Sequence, residues 1–257
     1  MTKPTIIVTG ASRGIGAAIG RAAAQLGANV VLNARSEIEL QALAAEIGAQ
    51  AVAVAGSVAN QADCLALVQT AVSTFGRIDA VVNNAGIIEP VGTIATTTPE
   101  AWEHNWRVNV LGPMMLTQAA LPHLRATNGR IINVSSGAAT GAIPGWGAYC
   151  VAKGALNQFN HVLSVEERGI TAVSVRPGIV DTDMQATIRR DGAAGMPADA
   201  HARFVGFHEK GQLLPPETPG MTLAVLALHA PAEWSGQFMG WDDEPVQALV
   251  AQFGGGE

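Results

Sequence analysis

Cysteine is nearly absent from this chain. Its 257 residues hold two, Cys64 and Cys150, too few for the disulfide framework of a small secreted fold. Each reads as a small packing residue. Lysine is scarce too, with Lys3, Lys153 and Lys210 alone, and no basic stripe forms. With a formal net charge of −6, the chain is expected to bind no nucleic acid. No apolar run reaches the length of a membrane span, so no membrane association is expected. Met1-Thr2-Lys3-Pro4 runs straight into a strand pattern, so no secretory leader is expected and a cytoplasmic protein is anticipated. The six histidines (His104, His123, His161, His201, His208, His229) never pair at metal-ligand spacing, so no metal site is expected. Aromatic residues make up 5%, and one residue, Tyr149, is the only tyrosine. What abounds is small and apolar: 29 glycines, and 48% hydrophobic residues rich in alanine.

The single tyrosine stands four residues before one of the three lysines. Tyr149 and Lys153 would share a helix face, and a phenol beside an ammonium can form a proton-transfer pair. The neighbouring cation is expected to favour the phenolate and lower the tyrosine pKa from its usual value near ~10.

Apolar strand patterns alternate with helical spacing along the chain. Strands are expected at Thr5–Thr9, Asn29–Asn33, Ala51–Ala55, Ala80–Asn83, Ile131–Val134, Thr171–Val175 and Gly236–Met239. Helices are expected between them, including Ile15–Leu26, Glu37–Ile47, Gln61–Thr74, a run reaching Arg125, a long one from Tyr149 to Arg168, and Thr218–Leu228. This alternation predicts an α/β fold: one Rossmann-type, doubly wound parallel sheet of about seven strands with helices on both faces, spanning 1–257 as a single domain. Residues 183–216 carry Gly192, Gly195, Pro197, Gly206, Gly211 and Pro215-Pro216, together with Met184, Met196, Phe204 and Phe207. They read as an irregular substrate-binding loop or lid.

The first strand runs into Thr9-Gly10-Ala11-Ser12-Arg13-Gly14-Ile15-Gly16. Glycines let the backbone approach a pyrophosphate, and a helix opening near Gly14 presents free N–H groups and a positive dipole end. With this loop, Asn83-Asn84-Ala85-Gly86, Tyr149-Cys150-Val151-Ala152-Lys153, Ser136 thirteen residues before the tyrosine, Asn109 in Val108-Asn109-Val110-Leu111-Gly112, and Pro177-Gly178-Ile179-Val180-Asp181-Thr182, the chain resembles the short-chain dehydrogenase/reductase family over nearly its whole length. Ser135 is the neighbour that could be mistaken for the serine.

The resemblance implies hydride transfer between a nicotinamide and a carbonyl or alcohol carbon. Tyr149 would be the proton donor and acceptor. Lys153 would tune it and hold the ribose, Ser136 would hold the substrate oxygen, and Asn109 would support a water-linked proton path. Gly10, Ser12, Arg13, Gly14, Ile15, Gly16, Asn84, Ala85, Gly86, Pro177, Gly178, Ile179 and Thr182 would bind the cofactor. At the end of the second strand Ala34 takes the place where NAD-preferring members carry an aspartate, and Arg35 follows. Arg35 and Arg13 could clamp a 2′-phosphate, so NADP(H) is expected over NAD(H). Ser57 stands where the family often has an adenine-side aspartate. Asn33-Ala34-Arg35-Ser36-Glu37 and the tail Phe238–Pro245 resemble the sepiapterin/benzil reductase branch, which implies a small ketone or vicinal diketone as substrate. Trp146, Met184, Met196, Phe204 and Phe207 could line an apolar pocket. The alternatives are a 3-oxoacyl-carrier reductase, against which the overall acidity counts, and a non-catalytic dinucleotide sensor, against which the complete Asn-Ser-Tyr-Lys set counts. The family likeness further implies a symmetric homo-oligomer, tetramer or dimer.

Overall fold

The computed structural model describes residues 2–255. Seven short strands rich in valine, isoleucine and alanine form one sheet: β1 (Thr5–Thr9), β2 (Asn29–Ala34), β3 (Ala51–Ala55), β4 (Ala80–Asn83), β5 (Arg130–Val134), β6 (Thr171–Arg176) and β7 (Phe238–Gly240). Their order is β3-β2-β1-β4-β5-β6-β7, and every neighbouring pair is parallel. The central strands are apolar on both sides because both faces are covered. Strand β1 is buried throughout.

Among the described residues ten α-helices connect and cover the sheet: α1 (Gly14–Gln25), α2 (Glu37–Ile47), α3 (Gln61–Phe75), α4 (Pro99–Trp106), α5 (Gly112–Thr127), α6 (Gly147–Glu166), α7 (Asp183–Gly195), α8 (Ala198–Glu209), α9 (Glu217–His229) and α10 (Glu244–Phe253). Helices α1, α2, α9 and α10 share one apolar layer with alternate strand residues such as Ile6, Val8, Val30 and Leu32. Helices α3, α5 and α6 share the other layer with Ile7, Val31, Val81 and Ile131. Small residues set how closely helices approach. A Cβ on Gly220 of α9 would lie 2.5 Å from Ala18 Cβ of α1, so glycine is required for this helix pair to touch.

The expected seven-stranded, doubly wound sheet is present, with strand ends matching to within a residue or two. The irregular segment expected at 183–216 is instead the helical pair α7 and α8, joined at Met196-Pro197. Its glycines are contact points rather than breaks. A side chain on Gly192 would meet His201 of α8, and one on Gly145 would meet Gly195 and Met196. Helix α10 also escaped the periodicity reading, although Asp243 ahead of Pro245 is a helix-start signature.

Candidate active site

The chain leaves β1 for β2 on one side and β4 for β5 on the other. A crevice therefore opens at the carboxyl ends of the strands where the winding reverses. It is a cleft of about 990 Å³. Its floor is knitted across the switch point. Thr9 Oγ1 accepts hydrogen bonds from the backbone N–H of Asn84 and of Ala85, both at 3.1 Å. Asn84 Nδ2 donates to the Thr9 carbonyl at 2.8 Å. Gly10 (φ 66) lies so close to the Asn84-Ala85 turn that a Cβ would stand 2.9 Å from Ala85 Cα, and a Cβ on Gly16 would stand 2.6 Å from Asn84 Nδ2. Helix α1 has no side-chain cap and no carboxylate in its first turn. Its leading N–H groups thus remain available to an anion. A bare backbone cradle in front of uncapped helix donors fits a dinucleotide pyrophosphate.

At the other end of the cleft, α6 carries Tyr149 and Lys153 one turn apart, 6% and 4% exposed. Lys153 Nζ donates to the Val134 carbonyl at 2.8 Å and lies 5.6 Å from the Tyr149 ring centroid. Ser136 follows β5 and opens a short turn at Gly137–Ala139. Its Oγ accepts from Ala138 N at 3.1 Å, and this serine acts on the Tyr149 phenol in the direction that lowers its pKa. The Ser135 hydroxyl is buried without a partner. Of the two serines, Ser136 is therefore the one at the tyrosine. Asn109 sits in a π-helical turn (Arg107–Leu111) between α4 and α5. It does not line the cleft. It stands behind Gly86, where a Cβ would meet Asn109 Oδ1 at 2.8 Å and Lys153 Nζ at 3.5 Å. The other predicted site residues, from Gly10 to Thr182, all line the cleft.

Burial governs the electrostatics. It pushes the Tyr149 phenol up to about 12, against the opposing pull of Ser136 and with a small further push from Cys150. Burial also brings the Lys153 ammonium down to about 8. The expected lowering of the phenol by its neighbour is not found in the protein alone: Lys153 is turned to the Val134 carbonyl, and loss of water around the phenolate outweighs the neighbouring charge. At neutral pH the tyrosine is a held proton, suited to donation.

Comparison with known proteins bears on the same residues. The family described as short chain dehydrogenase matches residues 4–193. The chain belongs to this family. It is 36% identical to the benzil reductase ((S)-benzoin forming) of Saccharomyces cerevisiae over 258 residues, covering 94% of this chain and 98% of that one. A short chain dehydrogenase/reductase structure from the same yeast superposes with a TM-score of 0.93 at 38% identity, covering 96% of this chain and 99% of that one. The 3-ketoacyl-(acyl-carrier-protein) reductase of Brucella melitensis, complexed with NADH, gives 0.80 at 27%, covering 93% and 97%. The chain is thus an oxidoreductase of a family that binds a nicotinamide dinucleotide.

Within this short-chain dehydrogenase the two arginines of the cofactor end differ. Arg13 Nε pairs with Asp183 Oδ2 of α7 at 2.7 Å, whereas Arg35 is exposed and has no ion pair among the described residues. Ser57 donates its backbone N–H to Asp63 Oδ2 at 2.8 Å, which places a carboxylate of α3 beside the position where the expected aspartate is missing. Gly178 (φ 85) lets the Pro177-Gly178 turn pass under Trp241 and Leu214. Sequence reasoning missed Thr9 and Asn105. Fully buried Asn105 donates to Glu89 O at 2.7 Å and accepts from Asn109 Nδ2 at 3.0 Å. The four-residue spacing of Asn105 and Asn109 was the available signal. Among the described residues no group of three His, Cys, Asp or Glu could hold a metal, and no helix is long and apolar enough to cross a membrane.

Proposed function

We propose that this short-chain dehydrogenase is an NADPH-preferring carbonyl reductase that takes a ketone or vicinal diketone to an alcohol. The carrying observation is the convergence of Ser136, Tyr149 and Lys153 at one end of a cleft whose other end is the glycine cradle. The nicotinamide group, when bound, supplies the hydride. Ser136 holds the substrate oxygen, and Tyr149 delivers its proton to that oxygen as negative charge develops there. The Lys153 ammonium offsets the phenolate charge left on Tyr149, and Asn109 anchors the water-linked path by which the proton is restored. The glycine loop, Asn84-Ala85-Gly86 and the segment from Pro177 to Thr182 position the cofactor.

The NADPH preference rests on Arg35, with Ala34 offering no carboxylate to repel a 2′-phosphate. Arg13 contributes less because Asp183 already engages it. A hydrogen bond to a charged group contributes roughly 1.5–3 kcal/mol, so Arg35→Ala should raise the NADPH KM by about tenfold or more and leave that for NADH almost unchanged. Equal use of both cofactors by the wild type would overturn this assignment. A diketone or bulky ketone suits the third apolar cluster, which holds Trp146, Ile188, Met196 and Phe204 together with Tyr149; the yeast relative named for benzil reduction agrees with that chemistry. Helices α7 and α8 form the outer wall of this pocket and act as its lid. Exposed Val151, Val162 and Val165 on α6, with Trp106 on α4, support a homo-oligomer built on that face. A screen of NADPH oxidation against diketones, quinones, aldehydes and acyl thioesters, wild type beside Tyr149→Phe, tests the reading. Loss of turnover by about 10²–10⁴-fold is expected in the variant, and near-normal turnover would remove Tyr149 from the mechanism. Activity confined to acyl thioesters would instead favour a carrier-linked reductase.

A further inference from the structure

The cleft-lining face of α8 carries one cation, exposed at the rim of the cleft. Four residues of this helix line the cleft, Ala200, Arg203, Phe204 and Phe207. Their spacing of i, i+3, i+4 and i+7 defines a single helical face. That face should be apolar throughout, since it closes an apolar pocket, and three of the four residues comply. Phe204 packs against Trp146 at 4.7 Å between ring centroids, the rings tilted by 32°, and meets Phe207 edge-on at 6.1 Å. Arg203 interrupts the stripe. Its guanidinium carbon lies 5.6 Å from the Phe207 ring centroid, which steadies the side chain over the aromatic wall.

The other cations at this cleft are accounted for. Arg13 is paired with Asp183, and Arg176 with Asp243 at 3.0 Å and Asp242 at 3.6 Å. Arg35 stands at the opposite, β2 end. Arg203 has neither an ion pair nor a hydrogen bond among the described residues. A planar, five-donor cation on the substrate wall, held by an aromatic ring and unmatched by protein acid, is matched to an anion brought by the substrate.

We propose that Arg203 is a specificity-determining residue that recognises a carboxylate on the substrate, so that the preferred substrates are carbonyl compounds with an apolar or aromatic body and an anionic group distal to the reacting carbonyl. The proposal rests on the carbonyl-reductase reading above. Its test compares a benzil bearing a para-carboxymethyl group with the methyl ester of the same compound, a pair close in carbonyl chemistry, because the methylene insulates the ring, and different in charge. Wild-type kcat/KM should favour the carboxylate by about tenfold, and added salt should shrink the ratio, because the contact is partly open to water. Arg203→Leu should bring the ratio to about one, and Arg203→Lys should retain part of it. Because the ratio is taken within each variant, a general loss of activity cannot imitate the effect. An ester reduced as well as the carboxylate by the wild type, or an unchanged ratio in Arg203→Leu, would overturn the role of Arg203 and leave carbonyl reduction standing. Turnover of neither compound, alongside failure of the broader carbonyl screen, would overturn both.

Discussion

A chain with one tyrosine allows its proposed proton donor to be titrated directly. Tyr149 is 6% exposed, enclosed by Trp146 at 5.9 Å between ring centroids, and its phenol is pushed up from 10.0 to about 12 by burial. The perturbation is alkali, and the signal is phenolate absorbance, to which tryptophan does not contribute a titration. A folded-state value above the unfolded one means that the associated stability is fully present below pH 10 and is lost as pH rises through about 12. At 1.36 kcal/mol for each pH unit, the two-unit shift is worth about 3 kcal/mol. The folded protein should therefore show no phenolate at pH 10, where a free tyrosine is half ionised. When phenolate appears, it should do so above that pH or together with the loss of circular dichroism. Tyr149→Phe, which leaves no tyrosine in the chain, should abolish the signal. A folded protein whose phenolate midpoint falls at or below 10 would refute the argument that burial outweighs the Lys153 ammonium.

Two further outcomes follow from the same geometry. The buried Lys153 ammonium has a value of about 8 in place of 10.5, so the unfolded chain binds the extra proton and stability should rise with pH from about 8 towards 10.5, by at most about 3.4 kcal/mol. Urea midpoints at neutral pH and at about pH 9.5 should show that rise in the wild type and not in Lys153→Met; parallel curves would sink it. Gly16→Ala places a methyl group against the Gly10 carbonyl and 2.6 Å from Asn84 Nδ2. Cofactor affinity measured by calorimetry should fall at least tenfold, with destabilisation of roughly 1–3 kcal/mol, the usual overpacking range; wild-type affinity would show that the cradle is looser than described.

The sequence by itself determined the sheet and most of the residues that line the cleft. Strand and helix periods along Thr5–Thr9, Glu37–Ile47 or Ala51–Ala55 are local signals, and the glycine loop, Asn84-Ala85-Gly86, Ser136 and the Tyr149/Lys153 spacing lie within short stretches of chain. What only the tertiary structure decided depends on groups far apart in sequence. Gly192 and Gly195 look like helix breakers until His201 and Val91 are seen pressed against them, so α7 and α8 could not be read from composition. That Arg13 pairs with Asp183, on another element 170 residues along the chain, could not be read from the glycine loop alone. Ser136 was chosen over its neighbour Ser135 by spacing alone, and only the folded chain shows the Ser135 hydroxyl buried without a partner. The direction of the tyrosine shift was likewise out of reach. A neighbouring lysine is visible in a sequence, whereas the desolvation that outweighs it arises only once β5, α6 and the Trp146 cluster have closed around the phenol.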